Sequence, residues 1–477
     1  MQVYRLVFTV LVVLLGVGAV RIIAQSAAPS ERAIPETIGF LRDLIRINTT
    51  NPPGNESASA KYLQQVFDRE HISCRLIEAA PGRASILARI KGSGRARPII
   101  LMAHMDVVGV ERDKWTFDPF AAELRNGYVL GRGAADDKAM LAANLELMLL
   151  LKRSPALPDR DVIYLGAAGE EGTPEFGINY LLERFPSEVE AEFALNEGGD
   201  APLRDPHEPP LYAAVSTAEK TPAPVKLTAR GTPGHGAFPS GNNAISRLAM
   251  AVYRVSQWQP PVRLNSTTRE FFRQIAELNL GEESEFARTI VTDETQHRVQ
   301  SAIPRYWAMS RTTISPTIFN AGFRTNAIPA EAIATLDIRL LPDEKLDAFL
   351  GQLSSVIDDP EIRIESATVT RPVSPISATD TDMFRALAVG YRSVFPGIPV
   401  LPQMVPGATD CAQLRVHGVQ CYGVGIPMMA ADRAREHGVD ERVSVEAIGQ
   451  YLRAMYKAIE AVAFAHGSAS STNTVGF

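Results

Sequence analysis

Residues 98–108 read PIILMAHMDVV, a nearly continuous apolar run into which His104 and Asp106 intrude. Such a run, lacking alternation, predicts a strand buried on both faces of a sheet. Two runs of the same kind, 161–168 and 192–196, predict buried neighbours, and both lead into acids: Glu170-Glu171 and Glu197. Between the first and second lies 137–153 (DKAMLAANLELMLLLKR), a largely apolar helix pattern with Lys152 and Arg153 in its last turn. Cations are favoured there by the helix dipole. Alternating strand and helix patterns predict an α/β layer architecture.

Working outward, 34–46 and 57–70 read as amphipathic helices separated by the turn-rich TTNPPGNE, and strands follow at 73–78 and 84–91. Asn126-Gly127, flanked by AAEL and YVLG, is a strong hairpin signal. Residues 31–218 are therefore expected to be the first part of a larger domain. The order strand, helix, strand, helix, strand over 219–372 (VKLTARG, the 244–252 helix pattern, IATLDIRLL, 343–357, EIRIESATV) predicts an inserted α+β sandwich. Within it, 258–322 is polar with few clear periods and receives no predicted shape. The larger domain resumes over 373–465, with helices at 380–394 and 444–463, and 466–477 (HGSASSTNTVGF) reads as a disordered tail.

The 477 residues exceed what one simple core serves, and two domains are the natural expectation. A formal charge of −6, with no basic stripe against it, excludes nucleic acid as the expected partner. Three cysteines are too few for a disulfide scaffold; Cys411 and Cys421 are either a pair formed in an oxidising compartment or reduced buried thiols. Residues 1–30 read as a targeting segment: Arg5, an apolar run from Leu6 to Val20 broken by Thr9, and a small-residue cleavage site near Ala24-Gln25-Ser26. An uncleaved anchor is the alternative, because Ile22 and Ile23 extend the run, and membrane contact is expected in that case alone. Either way the bulk of the chain is expected to be exported, to periplasm or extracellular space.

Five residues of metal-ligand type stand at the ends of short apolar runs: His104, Asp136 in GRGAADDK, Glu171 in GAAGEEG, Glu197 in LNEGG and His437 in REHGVDERV. Two nitrogen donors and three carboxylates suit two divalent ions that share a bridging carboxylate and activate water. Open α/β sheets gather ligands at the carboxyl ends of their strands, where these residues fall. Each alone has a plainer reading: a core histidine for His104, a helix N-cap and first-turn acid for Asp136 and Asp137, surface groups for Glu197 and His437. The five together favour a two-metal hydrolase.

HMDVV, GRGAADDK, GEEG, NEGG and HGVDERV, in that order and at those intervals, resemble the co-catalytic zinc peptidase family. That family includes carboxypeptidase S, the aminoacylases, glutamate carboxypeptidase, acetylornithine deacetylase and succinyl-diaminopimelate desuccinylase. The resemblance covers about 35 to 463. NEGG, DIRLLP and the long insertion place it nearest the carboxypeptidase S and secreted N-acyl-amino-acid hydrolase branch. It implies a mixed-sheet catalytic domain with an inserted lid or dimerisation domain, two Zn²⁺ (Co²⁺ or Mn²⁺ also accepted by such donors), and either a homodimer formed through the insert or, where 258–322 covers that surface, a monomer.

Residue by residue, the resemblance implies that His104 and Glu197 bind one ion, Glu171 and His437 the other, and Asp136 both. Asp106 would accept the second imidazole N–H of His104. A cis peptide is implied at Asp136-Asp137. Glu170 would take a proton from the bridging water and return it to the departing amine, and His235 would stabilise the oxyanion. Arg339 would bind a substrate carboxylate, Asn326 would contact substrate from the lid, and Gly407, Ala408 and Thr409 would line the pocket, although this chain reads PGATD where many relatives read GGTSD. The implied reaction is cleavage of a short peptide or N-acyl amino acid with a free carboxylate. Two alternatives are a biosynthetic deacylase of the acetylornithine or succinyl-diaminopimelate type, against which the targeting segment counts, and a non-catalytic binding protein that kept the fold.

Overall fold

In the computed structural model, which describes residues 32–293, 303–367 and 371–464, the decisive apolar run forms the strand Ile99–His104, buried along its length. The targeting segment 1–30, His297 and the tail 466–477 lie outside the described residues. The strand sits inside an eight-stranded mixed sheet, in the order Ser73–Ala80, Arg83–Ile90, Val162–Ala167, Ile99–His104, Phe193–Asn196, Gln420–Gly423, Ala213–Glu219 and Val400–Val405. Ile99–His104 runs parallel to Val162–Ala167, with Ile99 opposite Val162 and His104 opposite Ala167, and parallel to Phe193–Asn196 on its other side. This register brings the carboxyl ends of three strands to one edge, just before Asp106, Glu170 and Glu197.

One face of the sheet is covered by the helices Ala33–Arg46, Lys138–Arg153, Asp382–Val394 and Val445–Ala463, around Leu41, Leu145, Leu387 and Leu452. The other carries the short helices Ile178–Arg184 and Cys411–Val416, and there Cys411 and Cys421 form a disulfide. Asn126 and Gly127, both with positive φ, turn the hairpin Glu123–Arg125 to Tyr128–Leu130 as expected.

A second, five-stranded sheet is centred on Glu331–Leu340, paired antiparallel with Val225–Arg230 on one side and Thr313–Ala321 on the other. The strand Ile362–Ser366 extends it, and the helices Ala244–Gln257 and Leu346–Ile357 pack on it around Leu248, Phe349 and Leu353. Along 258–322, where the sequence shows few clear periods, the described residues form three helices (Ser266–Glu277, Glu282–Thr292 and Pro304–Met309) before the strand. Asn265 caps the first, accepting from the backbone N–H of Thr268 at 2.9 Å. Phe271, Phe272, Phe286 and Tyr306 pack with Tyr212, Ala214 and Leu401 of the eight-stranded sheet and its approach, so these helices build onto the larger layer. Burial of each such aromatic side chain is worth about 2–3 kcal/mol, enough to override weak local periodicity. Among the described residues no helix is long and apolar enough to cross a membrane.

Candidate active site

The donors expected from the sequence meet at the sheet edge. His104 Nε2 lies 2.9 Å from Asp136 Oδ1 and 3.9 Å from Glu197 Oε1. His437 Nε2 lies 3.0 Å from Asp136 Oδ2 and 2.9 Å from Glu171 Oε1. Asp136 thus has one oxygen toward each imidazole. Ligand atoms of His104, Asp136 and Glu171, and of His104, Glu170 and Glu197, lie within 4.8 Å of one another.

Asp106 does more than the sequence suggests. Past the strand end, its carboxylate accepts the backbone N–H groups of Glu170 and Glu171 at 3.1 and 3.0 Å and the side chain of Asn51 at 2.8 Å. His104 Nδ1 faces the backbone carbonyl of Asp106 at 2.9 Å, with the carboxylate at 3.6 Å. The main-chain carbonyl and the carboxylate of Asp106 both face the imidazole, and the carboxylate also anchors the neighbouring acidic loop. Gly169 lets that loop turn: its φ is +73°, and a Cβ there would lie 2.3 Å from the Thr173 carbonyl oxygen.

The loop bearing Asp136 is held by a residue to which the sequence reading gave no role. Glu441 accepts the backbone N–H groups of Gly133, Ala135 and Asp136 at 2.9, 2.8 and 3.1 Å, and pairs with Arg132 at 2.6 Å. Glu441 and Arg132 are both buried. The peptide Asp136-Asp137 is cis. His437 itself has φ +57°, an uncommon conformation for a residue with a side chain and one that turns its ring toward Asp136 and Glu171.

Glu170 is buried beside the donors, and a second unforeseen residue holds it. Arg371 donates to the backbone carbonyl of Glu170 at 2.9 Å and to its carboxylate, and also pairs with Asp410 at 3.0 Å. Burial pushes the Glu170 carboxyl up to about 8, with Arg371 and His104 opposing. No sequence motif marks Arg371, which follows the second sheet's last strand.

The electrostatics of the cluster fit divalent cations. Burial and the neighbouring Glu170 and Asp136 charges push Glu197 well above the usual carboxylate range. Hydrogen bonds to Asp136 and Glu171 draw His437 up to about 10. Against its own burial, His104 is likewise held well above the usual imidazole range by Asp106 and Asp136. The crowded carboxylates thus pull protons onto both imidazoles; cations at the same place would supply that positive charge with the imidazoles neutral.

A cavity of about 400 Å³ opens beside Asp136 and Glu197, and Gly407, Ala408 and Thr409 line it. The Thr409 hydroxyl donates to Glu219 at 3.0 Å. His235, Asn326 and Arg339 are not among the residues that line this cavity. Exposed His235 pairs with Ala327 in a two-residue ladder, and Gly236 donates to the Asn326 carbonyl at 2.8 Å, so His235 and Asn326 are neighbours in the second unit. Arg339 lies on the second sheet's central strand, where Asp337 accepts from it at 2.9 Å.

The profile of Peptidase family M20/M25/M40 matches residues 100–461. A probable carboxypeptidase S-like 2 of Dictyostelium discoideum is 30% identical over 415 residues, covering 84% of this chain and 78% of that one. An N-fatty-acyl-amino acid synthase/hydrolase PM20D1 of Xenopus tropicalis is 29% identical over 440 residues, 88% of this chain and 84% of that one. In structure, the Saccharomyces cerevisiae dipeptidase Dug1p superposes with a TM-score of 0.69 at 13% identity, over 91% of this chain and 97% of that one, a likeness of fold. The ordered donors and the profile that spans them agree: the chain belongs to Peptidase family M20/M25/M40, as its motifs led us to expect.

Proposed function

We propose that this protein is a metal-dependent hydrolase of amide bonds, acting on short peptides or N-acyl amino acids that carry a free carboxylate. The observation that carries this reading is the convergence of five donors around Asp136 with the buried Glu170 beside them. His104 and Glu197 would hold one ion, Glu171 and His437 the other, and Asp136 both; zinc is the first choice, with cobalt and manganese suited to the same donors. Two such ions, when bound, polarise the scissile carbonyl and lower the pKa of water toward neutrality.

Glu170 is the proton carrier. Its carboxylate takes a proton from the attacking water and delivers it to the departing amine nitrogen, so that the residue ends the cycle as it began. Arg371 holds the carboxylate and Asp106 the backbone of Glu170, which fixes the geometry of both transfers. His235 and Asn326, neighbours on the second unit, are assigned the oxyanion and a substrate contact. They would act once that unit approaches the edge, or from the second copy of a homodimer. Exposed Phe238, Met250, Tyr253 and Phe323 on the same unit support such a contact.

Export, and cleavage or retention of residues 1–30 as an anchor, belong to the same proposal, supported by the apolar run after Arg5 and by the Cys411–Cys421 disulfide. The test is hydrolysis of a panel of dipeptides and N-acyl amino acids before and after chelation. Turnover lost on chelation and restored by zinc, cobalt or manganese is expected; full activity in metal-free protein would overturn the reading.

A further inference from the structure

The cavity beside the donors has a second polar wall. It is lined by Arg305 and Arg433 as well as by Asp136, Glu197, Met140, Ile426 and Met428. Arg305 belongs to the helix Pro304–Met309 within 258–322; Arg433 closes the short helix Ala430–Arg433 just before His437. Both guanidiniums converge on one buried carboxylate, Asp200, in direct contact for Arg305 and at 3.0 Å for Arg433. Arg305 also donates to Gln403 at 2.7 Å, and Arg433 meets Glu436 at 3.3 Å. Bonds to Asp200 and Gln403 use two of the five N–H groups of Arg305.

Two guanidiniums held against one carboxylate repel each other, and burial together with Arg433 pushes Arg305 down to about 10. A further anion in the cavity would relieve this crowding, and planar guanidinium forks bind carboxylates two bonds at a time. A cavity of about 400 Å³ suits a substrate of one or two residues. Arg339, by contrast, is engaged by Asp337 on the other sheet.

We propose that Arg305 and Arg433 form the carboxylate-recognition wall of the substrate cavity, and that the helices of 258–322 serve to deliver Arg305 to it. This rests on the hydrolase reading for the identity of the ligand as substrate, although the binding itself does not require turnover. The carboxylate has two sources, the α-carboxylate on the amine side of the scissile bond or a distal carboxylate on the acyl side.

The experiment is calorimetric binding to the full-length, zinc-loaded chain carrying Glu170→Gln, which slows hydrolysis. N-acetyl-leucine against N-acetyl-leucinamide reports the α-carboxylate. N-succinyl-leucinamide against N-butyryl-leucinamide reports the acyl side. The acid is expected to bind about 10–100-fold tighter than its neutral counterpart in one of the two pairs. Adding Arg305→Ala or Arg433→Gln should erase that ratio, and Arg305→Lys should keep part of it, with two zinc equivalents retained throughout. No acid preference in either pair, or a preference that survives Arg305→Ala and Arg433→Gln, would overturn the proposal. So would a preference abolished by Arg339→Ala and untouched at Arg305. Turnover by the parent chain is scored separately: its absence with the acid preference intact would remove the hydrolase reading and leave the binding wall standing.

Discussion

The carboxylate of Glu441 accepts the backbone N–H of Asp136 at 3.1 Å, across 305 positions of the chain. Asp106 makes the matching tie at the other side of the cluster, to the N–H groups of Glu170 and Glu171. Two buried carboxylates thus anchor, through main chain, the loops that carry Asp136 and Glu170. The donor positions are supported through the backbone, and supports of this kind orient metal ligands.

Glu441→Gln should weaken metal binding without unfolding the protein. The amide still accepts from part of the loop, but Arg132 loses its buried ion pair at 2.6 Å. We expect a fall of about 10–100-fold in metal affinity, read by competition with a chromophoric chelator. Unaltered affinity would mean that the Asp136 loop holds its shape without Glu441.

Glu170→Gln should separate binding from chemistry. The variant keeps the Arg371 contact to the backbone carbonyl and all five donors, so two metal equivalents should remain. Loss of the proton carrier should lower kcat by about 10²–10⁴. A variant with full metal content and nearly native kcat would remove Glu170 from that role.

A third prediction concerns stability alone. Glu146 is buried in the helix Lys138–Arg153, and among the described residues neither carboxylate oxygen has a hydrogen-bond partner. Burial, aided by the nearby Glu36 and Glu70 charges, pushes it up to about 8, with Arg153 opposing. Its folded value thus lies above the unfolded value of 4.5. Its contribution is full below pH 4.5 and is lost as the pH rises toward 8, by up to about 1.4 kcal/mol per pH unit. Glu146→Gln should therefore match the native chain in urea midpoint near pH 5 and exceed it near pH 8. Parallel pH profiles for the two proteins would contradict this.

The catalytic layer was legible because its signals are local. Each of the strands Ile99–His104, Val162–Ala167 and Phe193–Asn196 is a buried apolar run, and the acids follow where the run stops. The supports were not legible. Glu441, Arg371 and Arg305 are charged residues whose partners lie about 100 to 300 positions away, and a charged side chain reads from sequence as solvated surface. Asp106 was seen, but its carboxylate serves the main chain of the next loop, a partner that no spacing within HMDVV encodes. The helices of 258–322 did leave a trace: Asn265 at a cap, then Phe271, Phe272 and Ile275 on one face, and Phe286 with Ile290 on the next helix. Short helices with many polar residues give a weak period, and these take their stability from packing on the large sheet.

The account stands on two cations shared by Asp136. Anomalous diffraction from crystals of the zinc-loaded chain, recorded on either side of the zinc edge, tests it most directly. We expect two peaks about 3.5–4 Å apart, one beside His104 and Glu197, the other beside Glu171 and His437, with Asp136 between them. A single peak, or zinc bound elsewhere with these five side chains uninvolved, would contradict the account.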